Sequence, residues 1–290
     1  QTASIKRCWG KYAIELLKYS KLKLLENADK PDQKDLLKTL DLPSEFQFHL
    51  PTEVYDLNEA EKSAITSNPA LDFEQAKKIF LKGQTILNEC KNYFILDGFV
   101  SDHCEIARDL SELYSVLLFF EEDLDRRCKM QKRRLDLLIP ICDELSEQHY
   151  LIIKRQYLFD IGSILSDMMD TKIEILNQKN ESNKLNQKEL ADCVKKINQL
   201  ANNSIKRFDQ FLDTMKVLPD KLVLPSKFDD HNVRPALLAK FYIGRLYSKI
   251  IVSNDPATKL DNLKQCFDNY KFLVDYCDRE KRDHNNNQPL

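Results

Sequence analysis

The stretch YLFDIGSILSDMM at residues 157–169, with LANNSIKRFDQF at 200–211, decides the fold class. In the first, Tyr157, Leu158, Ile161, Leu165 and Met169 recur at steps that keep them on one face of an α-helix. In the second, the same periodicity runs from Cys193 through Ile197, Leu200, Ser204, Phe208 and Phe211 to Met215. Asn186, with Glu189 three positions on, forms a capping box before the second run, and Ser146 or a neighbour opens the first. The Asn- and Lys-rich stretch at 177–188 between them reads as a solvent loop, so the two helices make a pair.

Gly162 lies inside the first of these helices, and it has counterparts. The chain holds only five glycines in 290 residues. Gly10, Gly83, Gly162 and Gly244, spaced by 73, 79 and 82 residues, all fall in helical patterns. Glycine costs a helix interior about 1 kcal/mol relative to alanine, so a recurring one calls for close approach of a neighbouring helix. Asp72 and Gln75 open a helix carrying Phe73, Ala76, Phe80, Gly83 and Leu87, with Gly98 as its stop. Asp102 and Glu105 form the next capping box, and the stripe from Ile106 to Cys128 meets no proline or glycine before Pro140. A further helix runs from about Asp230, with Pro235 in its first turn, to Val252. Its partner starts at Asp255 and Pro256 and turns Leu260, Leu263, Phe267, Tyr270, Val274 and Cys277 inward.

The helix from Thr2 to Leu25 has no equally clear partner. Residues 27–71 hold four of the ten prolines and read as an irregular connection, with short helices at 32–40 and 56–66 and an extended EFQFHL at 45–50. The expected fold is all-α, an antiparallel helix-pair right-handed α-solenoid with unusually long helices. It forms one helical-repeat domain over 1–290, with three long pairs over 72–281 and a frayed tail at 282–290.

Composition removes whole classes of function. Forty-four basic and 46 acidic side chains leave a net charge of −2, without the basic surplus that a nucleic-acid or anionic-membrane binder needs. The longest apolar run, Val116 to Phe120, is far short of the roughly 18 residues that cross a bilayer, so no membrane insertion is expected. None of the eight cysteines forms a Cys-x-x-Cys pair, and they read as small buried hydrophobes of a reducing, cytoplasmic compartment. The sequons at Asn180 and Asn202 are then incidental, and an N-terminal Gln1 points to a fragment.

Catalytic chemistry finds little support. The five histidines are scattered without metal-ligand spacing, and no Gly-rich phosphate loop or nucleophile elbow occurs, so the expectation is no enzyme, no metal, no cofactor and no small-molecule substrate. His103 beside Cys104 at a helix start reads as an ordinary first turn. Arg126, Arg127, Lys129, Lys132 and Arg133 follow Glu122, Asp123 and Asp125 at i,i+4 spacing, so intrahelical pairing on a solvated face is favoured over a partner-binding patch.

The glycine-centred pairs resemble the tetratricopeptide repeat: Leu158, Ile161, Gly162 and Leu165 fit its first helix, and Ser204 with Phe208 its second, at about twice the family's period. Longer blocks resemble the C-terminal half of the kinesin-binding protein family. They are RCWGKY from Arg7, LDFEQAKKIFLKGQ from Leu71, LDGFVSDH from Leu96, FFEEDLDRRCKMQKRRLDLL from Phe119, DMMDTKIEI from Asp167, RPALLAKF from Arg234 and YKFLVDYC from Tyr270. The resemblance implies a non-enzymatic regulator, cytoplasmic and cytoskeleton-associated, that binds kinesin motor domains on their microtubule-binding side and blocks attachment. The Pro140–Gln148 loop corresponds to one that the family places at the motor, which makes Asp143, Glu144, Leu145, Ser146 and Gln148 the candidate contacts. A motor surface that binds acidic tubulin is basic, so acidic and polar loops suit its blocker. The alternative is a general scaffold for linear peptides. Its carboxylate-clamp form needs Lys, Arg and Asn clustered on the concave face, so Lys154 and Arg155 pointing outward would count against it.

Overall fold

The computed structural model describes residues 2–26, 68–181, 186–216, 224–253 and 255–286, with side chains as far as residue 281. These residues form eight helices and no strand: α1 Thr2–Glu26, α2 Phe73–Tyr93, α3 Val100–Leu117, α4 Leu124–Glu144, α5 Glu147–Glu181, α6 Gln187–Asp213, α7 Asp230–Lys249 and α8 Pro256–Asn286. The fold is all-α. The expected short helices at 32–40 and 56–66 and the extended 45–50 lie outside the described residues. The chain forms two compact units, Gln1–Arg134 and Leu135–Leu290, with α4 starting in the first and ending in the second.

In the first unit α1, left unpartnered by the sequence, packs on both α2 and α3. It runs antiparallel to α2: Lys6 reaches Glu89 at 2.6 Å, Gly10 meets Leu87, and Ala13 lies where a Cβ on Gly83 would come within 2.9 Å. Arg7 ties α1 to α3 through Glu105 at 2.6 Å and Asp109 at 3.0 Å, and Lys18 adds Glu112 at 2.7 Å. Leu17, Leu87, Ile106, Leu110 and Leu113 are fully buried between the three helices.

Asp72 caps α2 by accepting from the Gln75 N–H at 2.8 Å, as the sequence suggests. The helix ends at Tyr93, however, and Gly98 takes its positive φ of 123° in the following turn. Nor does the Asp102–Glu105 box form. α3 starts at Val100 without a side-chain cap, which places Asp102 in the first turn and leaves Glu105 to Arg7. The expected unbroken helix through Cys128 stops at Leu117. Buried Glu121 accepts from the Asp123 N–H at 3.0 Å, and Asp123 accepts from the Arg126 N–H at 2.8 Å to start α4. Two carboxylates thus break the helix where no glycine or proline stands.

In the second unit α5 and α6 are antiparallel, with Arg155 at Thr214, Phe159 at Phe211 and Gly162 at Ser204 and Phe208. The capping box of Asn186 and Glu189 forms as expected. The Ser204 hydroxyl donates to the Gly162 carbonyl at 2.7 Å, so the glycine admits both a hydrogen bond and the Phe208 ring. α7 returns antiparallel to α6, with Phe208 and Tyr242 stacked at 5.1 Å and Asn198 exchanging two hydrogen bonds with the Ile251 backbone. α7 lies parallel to α5: Phe159 faces Tyr242, and Arg245 binds Ser166 at 3.1 Å and Asp170 at 2.6 Å. Pro235 stands beyond the first turn of α7, which ends at Lys249 rather than Val252. Helix also continues past two expected boundaries, to Glu181 in α5 and to Asn286 in α8.

α8 begins at Pro256 with Asp255 accepting from the Thr258 N–H at 3.1 Å, but most of its expected inward stripe faces outward, Tyr270 against Gly244 excepted. Leu260, Leu263, Phe267 and Val274 are 53–64% exposed, while Asn269 and Tyr276 are buried. Tyr276 sets this rotation. Its hydroxyl accepts from the Phe228 N–H at 3.3 Å, and its ring lies 5.6 Å from that of Phe228. Gly244 meanwhile brings α7 close to Tyr270 and the Cys266 carbonyl.

Candidate functional site

The Pro140–Gln148 loop is almost entirely helix. Pro140 is accommodated inside α4, which runs to Glu144, and only Leu145 and Ser146 connect it to α5. The result is a two-residue corner rather than a loop. The Leu145 N–H donates to the Ile141 carbonyl at 3.1 Å to close α4, and the Ser146 carbonyl accepts from the Tyr150 N–H at 2.9 Å to begin α5. Tyr150, at φ −127° and ψ 32°, kinks α5 after its first turn.

Lysine and arginine from the next turn hold this corner in place. Lys154 donates to the Leu145 carbonyl at 2.9 Å and pairs with Glu147 at 3.3 Å. Arg155 donates through Nε and Nη2 to the Thr214 hydroxyl and carbonyl, at 2.9 and 2.6 Å, binding the end of α6. Burial lowers the Arg155 guanidinium pKa, and Asp229 partly offsets this. Neither side chain is available as a carboxylate clamp, because both hold the chain's own backbone carbonyls.

Asp143, Glu144, Ser146 and Gln148 are exposed together on the corner, but Leu145 is 5% exposed and serves as its apolar anchor. Of the acids, Asp143 is paired with Arg207 at 2.9 Å and Glu147 with Lys154, which leaves Glu144 as the unpaired carboxylate among the described residues of the corner. Sequence reasoning missed Ile152, 71% exposed on the turn after the kink. Its signal was its position outside the Tyr157, Ile161, Leu165 face.

The basic run divides by helix face. Arg126, Lys129, Lys132 and Arg133 are exposed on α4, whereas Arg127 turns inward with its Nε buried and lacking a hydrogen-bond partner among the described residues. The pairing expected for Glu122 with Arg126 and Asp123 with Arg127 is replaced: Arg126 lies 3.8 Å from Glu121, and Asp123 caps the helix. Cys104 is buried, and His103 Nδ1 is 2.8 Å from the Phe94 carbonyl. Among the described residues no group of His, Cys, Asp and Glu could hold a metal ion, and no helix is long and apolar enough to cross a membrane.

Comparison with known proteins places this geometry. Residues 1–288 match the family model described as KIF-1 binding protein C terminal. The KIF-binding protein of Xenopus tropicalis is 40% identical over 96% of this chain and 46% of its own length, and that of Homo sapiens 37% identical over 95% and 44%. A cryo-EM structure of KIFBP is 31% identical with a TM-score of 0.54, covering 95% of this chain and 52% of that one. The chain therefore spans about half the length of the curated relatives it matches.

Proposed function

Because the chain belongs to the KIF-1 binding protein C-terminal family, we propose that it supplies one half of a cleft that binds kinesin motor domains. In this reading it covers their microtubule-binding side and blocks attachment and motility without catalysis. The α4–α5 corner supports this reading best. There Glu144, Ser146 and Gln148 are exposed, as is Ile152 on the turn after the kink, while Lys154 and Arg207 pair with the neighbouring acids. A carboxylate, two neutral polar groups and an apolar tip on a braced turn suit a basic surface with apolar gaps, and their rigidity limits the entropy lost on binding.

The test uses the full-length parent protein and a panel of kinesin motor domains, read by microtubule co-sedimentation and microtubule-stimulated ATPase activity. Suppression of both is expected, and Glu144→Lys combined with Gln148→Lys weakens it several-fold at unchanged melting temperature. Unaltered co-sedimentation of every motor tested refutes the reading.

A further inference from the structure

A second surface of the same unit carries the opposite chemistry. Between the end of α4, α5 and α6 lies a cleft of about 320 Å³, with Ile139 and Leu165 as its apolar lining. One face of α6 lines it with Asn203, Lys206, Arg207 and Gln210. Helical spacing brings those four side chains together, two cations and two amides over two turns.

Arg207 is the centre of this arrangement. Its side chain is only 18% exposed, and all its polar contacts run through Nη1, to Asp143 at 2.9 Å and to Gln210 at 3.4 Å. Nε and Nη2, the edge of the guanidinium that matches a carboxylate with two parallel hydrogen bonds, have no protein partner among the described residues. Lys206 is exposed and makes no ion pair among them, and Asn203 is likewise exposed. With two cations and one acid, the cleft keeps a positive charge even with Asp143 in place.

We propose that this cleft binds an acidic side chain of a partner peptide. A glutamate fits its chemistry best: the carboxylate bridges the open edge of Arg207 and Lys206, Asn203 adds an amide, and the methylenes lie on Ile139 and Leu165. The site prefers the opposite charge from the α4–α5 corner, so it serves a different contact from the one proposed for motor domains.

The test titrates the full chain with hexaglutamate while following the Arg207 Nε–Hε resonance, with hexaglutamine and inorganic phosphate as comparison probes. Saturable shifts with hexaglutamate are expected. Lys206→Gln should weaken them about tenfold, the effect of losing one charge-assisted hydrogen bond, and Arg207→Gln, which removes the followed resonance and is therefore read by titration calorimetry, should weaken binding at least as much. Lys206 is exposed, so its variant remains informative if Arg207→Gln fails to fold. Asp143→Asn should tighten binding by removing the resident acid, while Glu144→Gln leaves it unchanged. Equal shifts with hexaglutamine, tighter binding of phosphate than of peptide, or equal responses to Asp143→Asn and Glu144→Gln would each overturn the proposal.

Discussion

Replacing Gly162 with alanine sets two known effects against each other. In an open helix the change stabilises by about 1 kcal/mol, because alanine loses less backbone entropy. In α5 the new methyl would lie 3.0–3.1 Å from three atoms of the Phe208 ring, closer than normal packing allows. That ring cannot retreat: Phe208 is 0% exposed, stacked on Tyr242 at 5.1 Å and edge-on to Phe159 at 5.4 Å. Overpacking of this kind costs about 1–3 kcal/mol, so the net expectation is a loss of about 1 kcal/mol, or a melting temperature lower by about 2–4 °C. Urea denaturation of a double-mutant cycle isolates the cause. In a Phe208→Leu background the smaller side chain gives way, so Gly162→Ala turns stabilising and the coupling is about 2 kcal/mol. Stabilisation by Gly162→Ala in the native background would refute the claim that Phe208 dictates the glycine.

Arg7→Gln should cost about 2 kcal/mol in calorimetry, since it leaves Asp109 in a site where the side chain is 15% exposed and its cation gone. Burial already raises the Asp109 pKa against the opposing pull of Arg7. A raised acid contributes stability that is fully present below its unfolded value of about 3.9 and lost as pH rises through the folded one, so the Arg7→Gln deficit should shrink toward pH 4. Asp255 behaves oppositely: hydrogen bonds from Thr258 lower its pKa, so its contribution persists above the unfolded value and is lost as pH falls through the folded one. Asp255→Ala should speed amide exchange in the first turn of α8. Charge reversal at Arg126, 64% exposed, should move stability by less than about 0.5 kcal/mol, whereas reversal at half-buried Arg127 should cost more than about 2 kcal/mol by thermal melting.

Periodicity made the helices legible because burial on one face repeats every three or four residues. The recurrent glycines were legible too, since each marks a place where a partner side chain or backbone comes within contact. The break between α3 and α4 was hidden, because it depends on Glu121 and Asp123 turning their carboxylates onto backbone N–H groups, which no local pattern distinguishes from helical acids. The corner residues were named from a family resemblance, yet their pairing was not foreseeable. Arg207 reaches Asp143 from 64 positions away. The open edge of that arginine is likewise a tertiary fact.

α8 presents the sharpest conflict between pattern and packing. Read as a stripe, Leu260, Leu263, Phe267 and Val274 belong inside, yet each is more than half exposed. The buried positions of the helix instead include Asn262 Nδ2 and Asn269 Oδ1, without hydrogen-bond partners among the described residues. Tyr276 is the counterweight: 2% exposed, it rests on Phe228 and fixes the rotation of the helix from its C-terminal half. The two orientations differ in measurable free energy. If the observed rotation holds, Leu263→Gln with Phe267→Gln costs less than about 1 kcal/mol, because those side chains have little burial to lose. Tyr276→Ala then costs about 3 kcal/mol or more, as for other buried aromatic truncations. The periodic reading reverses the order, with the paired glutamines costing several kcal/mol and Tyr276→Ala little. Urea denaturation of the two variants separates the cases, and a larger loss from the glutamines than from the alanine would show that α8 buries its apolar stripe after all.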